Sequence, residues 1–148
     1  MRHIPQERNN PSSLPYNPAQ VPRGSPQRVQ PVSKESFEIV DFQALPGIAC
    51  PCGTAKRALL DLDSVPYSLH LTEISSDAQT HYHKNITETY FFLECGPDAC
   101  MELNGQLVPV RPQSAIVIHP GTRHRARGKM KVMLIASPKF DPKDEWFD

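Results

Sequence analysis

The sequence predicts an all-β fold, an antiparallel sandwich or barrel, and three observations carry that expectation. Short apolar runs recur along the chain, separated by turn residues. Asn104-Gly105, between two such runs, is a strong hairpin signal. No segment repeats apolar residues at helical spacing for long enough to suggest an amphipathic helix.

Taken in order, residues 1–33 hold seven of the sixteen prolines, with Asn, Gln and Ser between them. Such a segment has too little apolar surface to offset the entropy of ordering it, so it reads as a disordered, Pro-rich arm. Its four Arg against one Glu allow a weak binding role as the alternative to a solvated tail. The folded domain spans 34–148, long enough to enclose a core. It opens with a short strand over 37–40, after which Pro46, Gly47, Pro51 and Gly53 make 43–54 irregular. The strand-like runs that follow begin at Lys56 (KRALLDL), Tyr67 (YSLHLTEI), Ala78 (AQTHYH) and Thr87 (TETYFFLE). Four more begin at Ala99 (ACMEL), Gln106 (QLVPV), Ser114 (SAIVI) and Met130 (MKVMLIAS).

Sixteen Lys and Arg balance sixteen Asp and Glu, so nothing favours nucleic acid or an anionic membrane as a partner. No apolar run approaches the ~20 residues of a membrane span, and the N-terminus lacks a secretory apolar core. A cytoplasmic protein is expected. Cys50, Cys52, Cys95 and Cys100 then read as reduced thiols filling strand and turn positions. As a zinc site, C-x-C with a distant C-x4-C would be an unusual arrangement. The Asn85-Ile86-Thr87 sequon has no secretory context and is discounted.

The stretch from His81 to Glu88 (HYHKNITE) carries the chemistry. On a strand, residues i and i+2 leave by one face, so His81 and His83 point together. Lys84 and Asn85 suit a turn, and the next strand brings Glu88 back opposite the pair. Two imidazoles and a carboxylate thus come within reach of one divalent cation. With 6 His and 8 Glu in 148 residues, H-x-H-x4-E arises by chance in roughly one chain in 100 of this composition. A second, separated match is therefore worth more than the octapeptide alone.

That match exists. His81-x-His83-x4-Glu88-x6-Cys95 resembles the first motif of the cupin superfamily, G-x5-H-x-H-x3,4-E-x6-G. Residues 113–128 (QSAIVIHPGTRHRARG) resemble the second, G-x5-P-x-G-x2-H-x3-N. The resemblance covers roughly residues 56–137 and is to small single-domain metal-binding cupins. It implies a double-stranded β-helix, a jelly-roll barrel with the metal inside one end. It also implies the ligand set His81, His83, Glu88 and His124, all present. Gly121 matches as well. Ser75, Cys95, Gln113, His119 and Gly128 depart from the motifs at turn positions, which bears on local backbone geometry.

Such a site takes one divalent transition metal ion, Fe, Mn, Ni, Co or Zn, and leaves it open positions. The metal then serves as a Lewis acid for isomerisation or decarboxylation, or binds O2 for dioxygenation. The expected partner is a small-molecule substrate or ligand. The alternative to a metalloenzyme of this kind is a non-catalytic metal- or ligand-binding cupin, a sensor or storage protein; an interaction protein acting through the basic arm is a third reading.

Strand parity supplies further candidates. Tyr90 shares the inward face of Glu88 and is a candidate catalytic phenol near the metal, against ordinary wall packing. His119 is expected at the pocket rim, and His70 in a structural role. Arg123, Arg125 and Arg127 alternate with His124 and so point outward, leaving Arg57 as the better candidate for a substrate arginine. Phe140, Trp146 and Phe147 read as packing residues of a tail that crosses the barrel or meets a homodimer partner, with closing the pocket as their alternative role.

Overall fold

The computed structural model describes residues 37–50 and 52–148. The arm expected over 1–33 lies outside the described residues. Among the described residues there are eleven strands: β1 (Ile48–Cys50), β2 (Gly53–Ala58), β3 (Ser68–Ile74), β4 (His81–Tyr82), β5 (Thr87–Cys95), β6 (Cys100–Leu103), β7 (Gln106–Pro109), β8 (Ala115–Ile118), β9 (His124–Arg127), β10 (Met130–Ser137) and β11 (Trp146–Phe147). The only helical element among the described residues is a 3-10 turn at Pro142–Asp144. All pairings are antiparallel. They form a six-stranded sheet, β1-β2-β3-β10-β5-β8, and a five-stranded sheet, β11-β4-β9-β6-β7.

Alternation decides which faces meet. In β3, Ser68, His70, Thr72 and Ile74 are buried; in β5, Glu88, Tyr90 and Phe92; in β10, Met130, Val132, Leu134 and Ala136. Met101 of β6 and Ala126 of β9 join them from the other sheet, so one core lies between the two. The Phe92 and Val132 side chains at its centre are wholly shielded from water. Burying groups of that size contributes about 1.5–3 kcal/mol each. The apolar core continues directly into the polar cluster: Glu88 and Tyr90 are successive inward residues of β5.

The turns are specific. Leu103 pairs with Gln106, closing β6 and β7 over Asn104-Gly105, whose φ angles of 48° and 82° are the left-handed pair a tight hairpin needs. Gln113, at a glycine position of the cupin motif, takes φ 63° without being glycine. Gly53 is needed for space as much as for backbone freedom. A Cβ there would sit 2.0 Å from the carbonyl oxygen of Glu73 across the β2–β3 ladder.

Three sequence expectations require correction. Residues 37–40 form no strand; Phe37 and Ile39 are 61% and 75% exposed and meet no partner strand. The span 43–54, expected to be irregular, contains β1 and the start of β2. There Ile48 pairs with Ala55 and Cys50 with Gly53, so the Pro/Gly-rich sequence makes a hairpin turn rather than a long loop. β2 accordingly begins three residues ahead of the Lys56 run. The third is β11, unmarked by any alternation, which adds to the second sheet by pairing Trp146 with Tyr82 and Phe147 with His81.

Candidate metal centre

Four elements aim side chains at one point. β4 supplies His81, the turn after it His83, the second residue of β5 Glu88, and the first of β9 His124. Cross-strand pairing of His81 with His124 sets two imidazoles side by side, with ring centroids 4.3 Å apart. One potential ligand atom from each of the four residues lies within 4.8 Å of the other three. His83, Glu88 and His124 are at most 3% exposed, and His81 is half-buried. The ligand set expected from the motifs is thus gathered at one place.

The outer nitrogen of every ring is tied to the backbone. The Nδ1–H of His83 donates to the carbonyl of Asp144 (2.8 Å), that of His124 to Thr122 (2.9 Å), and that of His81 to Gln79 (3.0 Å). A carbonyl only accepts, so each Nδ1 carries the proton, and in the neutral ring the Nε2 lone pair is left facing inward. Backbone anchoring of this kind fixes tautomer and ring orientation in metal-ligating histidines. His124 Nε2 lies 2.9 Å from one oxygen of Glu88, and His83 Nε2 lies 3.4 Å from the other. His83 Nε2 is fully buried and has no hydrogen-bond partner. A proton on His124 Nε2 can bridge the 2.9 Å contact but leaves His83 Nε2 without a partner, whereas a divalent cation would satisfy all four groups at once.

The charges follow the contacts. Burial works against ionised Glu88, but its bonds to His124 and His83 prevail and bring its pKa down to about 2. Burial also pulls His83 down, yet the close approach and charge of the Glu88 carboxylate outweigh it, and the net shift is upward. His81 moves the other way, to about 4, through burial and then the neighbouring His124. The difference is one of contact: Glu88 touches His83, whereas the nearest carboxylate oxygen beside His81 is that of Glu145, 3.9 Å away.

A cavity opens beside the cluster, lined by His81, Glu88 and Tyr90 together with Arg57, His70 and Phe140. Tyr90 is buried, its ring edge-on to His124 at 6.2 Å between centroids. Burial, then the charge of Glu88, holds its phenol well above its ordinary pKa, so the hydroxyl stays protonated. His70 Nε2 pairs with Ser68 Oγ at 3.1 Å, and its ring meets Phe140 edge-on. Burial and the Arg57 charge lower its pKa to about 4, leaving it neutral. His119 does not reach the cavity; it is exposed on the β8–β9 turn. The three arginines around His124 are paired: Arg123 with Asp148, Arg125 with Glu102, and Arg127 with Asp77 and Glu102.

Several site residues carry no signal in the sequence. Asp144 accepts the backbone N–H groups of Lys84, Asn85 and Ile86, fixing the turn that places His83. Glu145 enters the cavity, where burial raises its pKa against the opposing pull of His83. Cys50 and Cys52 line the wall with their sulfurs 3.4 Å apart. In the tail, Phe140 packs against the core and Phe147 lines the cavity, while Trp146 faces outward under the Lys84 ammonium. Only the proximity of an acidic pair, Asp144 and Glu145, to the aromatic tail residues hints at this in the sequence.

No family model matches the sequence. It is 26% identical over 87 residues to L-ectoine synthase of Aliivibrio fischeri, 58% of this chain and 67% of that protein. Among solved structures, it superposes on a protein from Planctomyces limnophilus with a TM-score of 0.72 at 40% identity, covering 75% of this chain and 96% of that one. It superposes on Streptomyces Pac13, a nucleoside dehydratase solved with uridine, with a TM-score of 0.65 at 15% identity, covering 77% of this chain and 95% of the other. Ectoine synthase and Pac13 are cupin-fold proteins. With two facing antiparallel sheets, and with the histidines and glutamate of both motifs meeting at one place, the chain has a cupin-type fold.

Proposed function

We propose that the protein is a metal-dependent cupin enzyme acting on a small polar metabolite, with His81, His83, Glu88 and His124 holding the ion. The observation that carries this reading is the set of three backbone-anchored imidazoles whose Nε2 atoms converge on a buried carboxylate. Three neutral rings and one carboxylate leave a divalent ion with a net charge near +1. When bound, the ion supplies Lewis acidity to a substrate oxygen, or a place for O2.

The chain's own residues do the rest. Tyr90 offers a protonated phenol to the cavity and serves as hydrogen-bond donor to the substrate. Phe140 and Phe147 narrow the cavity and limit water, which strengthens polar contacts inside it. A Lewis-acid elimination is the first reaction to assay, since a protein of similar fold is a nucleoside dehydratase.

Elemental analysis of protein purified without added metal, followed by turnover assays across small hydroxy, oxo and sugar metabolites, tests the reading. Near-stoichiometric transition metal together with turnover is expected. Failure to bind any such metal at micromolar concentration would overturn it. Metal without turnover, with ligand retention, would move the protein to the non-catalytic metal- or ligand-binding class.

A further inference from the structure

Arg57 stands apart from the three arginines around His124. Arg123, Arg125 and Arg127 each meet a carboxylate on the outer face. Arg57 has no ion pair among the described residues, and its Nε is buried with no hydrogen-bond partner. Leaving a charged donor desolvated and unpaired is costly, more so than for a neutral group. Its orientation is nonetheless held: the guanidinium lies over the face of Phe140, 4.5 Å from the ring centroid.

Its place in the sheet relates it to the metal centre. Arg57 pairs with His70, His70 with Leu134, and Leu134 with Tyr90, one rung running across β2, β3, β10 and β5. Three strand spacings of ~4.8 Å put the backbones of Arg57 and Tyr90 about 14 Å apart. Both side chains extend into the same cavity, which His81 and Glu88 also line. A positive group thus shares a cavity with ligands of the proposed ion.

We infer that Arg57 is a specificity-determining residue that binds a carboxylate of the substrate while a second oxygen of the same molecule reaches the metal centre. This rests on the metal-dependent reading and names its substrate class, a small carboxylic acid bearing a further oxygen. The guanidinium fork matches the two oxygens of a carboxylate. A phosphoryl dianion fits less well, because the cavity offers it one guanidinium and also brings the Glu145 side chain into the same space.

The test uses the purified full chain, its metal content measured on every sample, and follows binding by NMR or calorimetry. The probes are glycolate, lactate and malate, their amides, and inorganic phosphate. The carboxylates should bind about tenfold or more tightly than their amides, and Arg57→Gln should remove that advantage without changing metal content. Arg57→Lys, which keeps the charge but loses the fork, should weaken carboxylate binding as well, and it decides the matter if Arg57→Gln does not fold. Equal binding of acids and amides, affinity unchanged in both variants, Arg57-dependent binding stronger for phosphate, or no carboxylate binding at tens of millimolar would each overturn the inference. Arg57-dependent carboxylate binding by a protein that takes up no metal would uphold the subsite and overturn the metal-dependent reading instead.

Discussion

Asp144 holds His83 in place from 61 residues away: its main-chain carbonyl accepts the Nδ1–H of the imidazole at 2.8 Å. Its carboxylate meanwhile collects the backbone N–H groups of Lys84, Asn85 and Ile86. One residue of the tail therefore sets both the ring and the turn on which the ring sits. The centre depends on the tail as well as on the two motifs.

His83→Ala should lower metal retention roughly tenfold or more while the barrel stays folded, because the ring lines a polar cluster and is not part of the apolar core. Elemental analysis after dialysis, with circular dichroism on the same sample, reads both. Unchanged metal content would remove His83 from the ligand set.

Asp144→Asn should destabilise the protein by about 1–3 kcal/mol at neutral pH, by weakening three backbone hydrogen bonds, one buried and two part-buried. Burial disfavours the charged carboxyl, but the N–H groups of Asn85, Lys84 and Ile86 prevail and hold its pKa below the ordinary carboxylate range. A group depressed in the folded state contributes its stability above the unfolded pKa and loses it as pH falls through the folded one. Stability of the parent protein should therefore drop more steeply than that of Asp144→Asn between pH 5 and the lower edge of carboxylate titration. Thermal unfolding across that window checks it; parallel curves would contradict it.

Gly53→Ala should be among the most damaging single-methyl additions in the barrel. The new Cβ would fall 2.0 Å from the Glu73 carbonyl oxygen, which is backbone and cannot swing aside. Relief requires the β2–β3 ladder to part, at a cost of several kcal/mol by comparison with ordinary overpacking of about 1–3 kcal/mol. A melting temperature within a degree of the parent would contradict this.

Cys52 should resist alkylation. Burial first, and then the hydrogen bond and charge of Cys50, raise its thiol to about 12. At pH 8 about one molecule in 10,000 then carries the thiolate that reacts. Mass spectrometry after iodoacetamide treatment should find Cys52 unmodified in the folded protein and modified after denaturation. Labelling at the rate of a free cysteine would refute it.

Much of this architecture is legible in the residues because alternation and turn chemistry are local. SLHLTEI and MKVMLIAS alternate inward and outward as β3 and β10 do, and Asn104-Gly105 takes the tight-hairpin backbone its residues favour. The four-residue cluster is legible for the same reason: i, i+2 spacing and a turn bring His81, His83 and Glu88 together. The pieces that escape are those whose placement depends on distant partners. Apolar 37–40 looks like a strand but finds no neighbour, whereas Trp146-Phe147 becomes one only because β4 offers an open edge. Asp144, Glu145 and the two wall thiols reach the centre through tertiary packing, which no local spacing announces.

The alternation in β9 carries a further consequence. His124 and Ala126 face the interior, while Arg125 and Arg127 sit on the opposite face. A deletion or insertion of one residue between Gly121 and His124 would rotate that ladder by half a step, driving guanidinium groups inward and an imidazole into water. Substitutions on the outer face can be absorbed one at a time. Length changes in the turn ahead of it cannot, so the spacing there is a harder constraint than the identity of the residues that fill it.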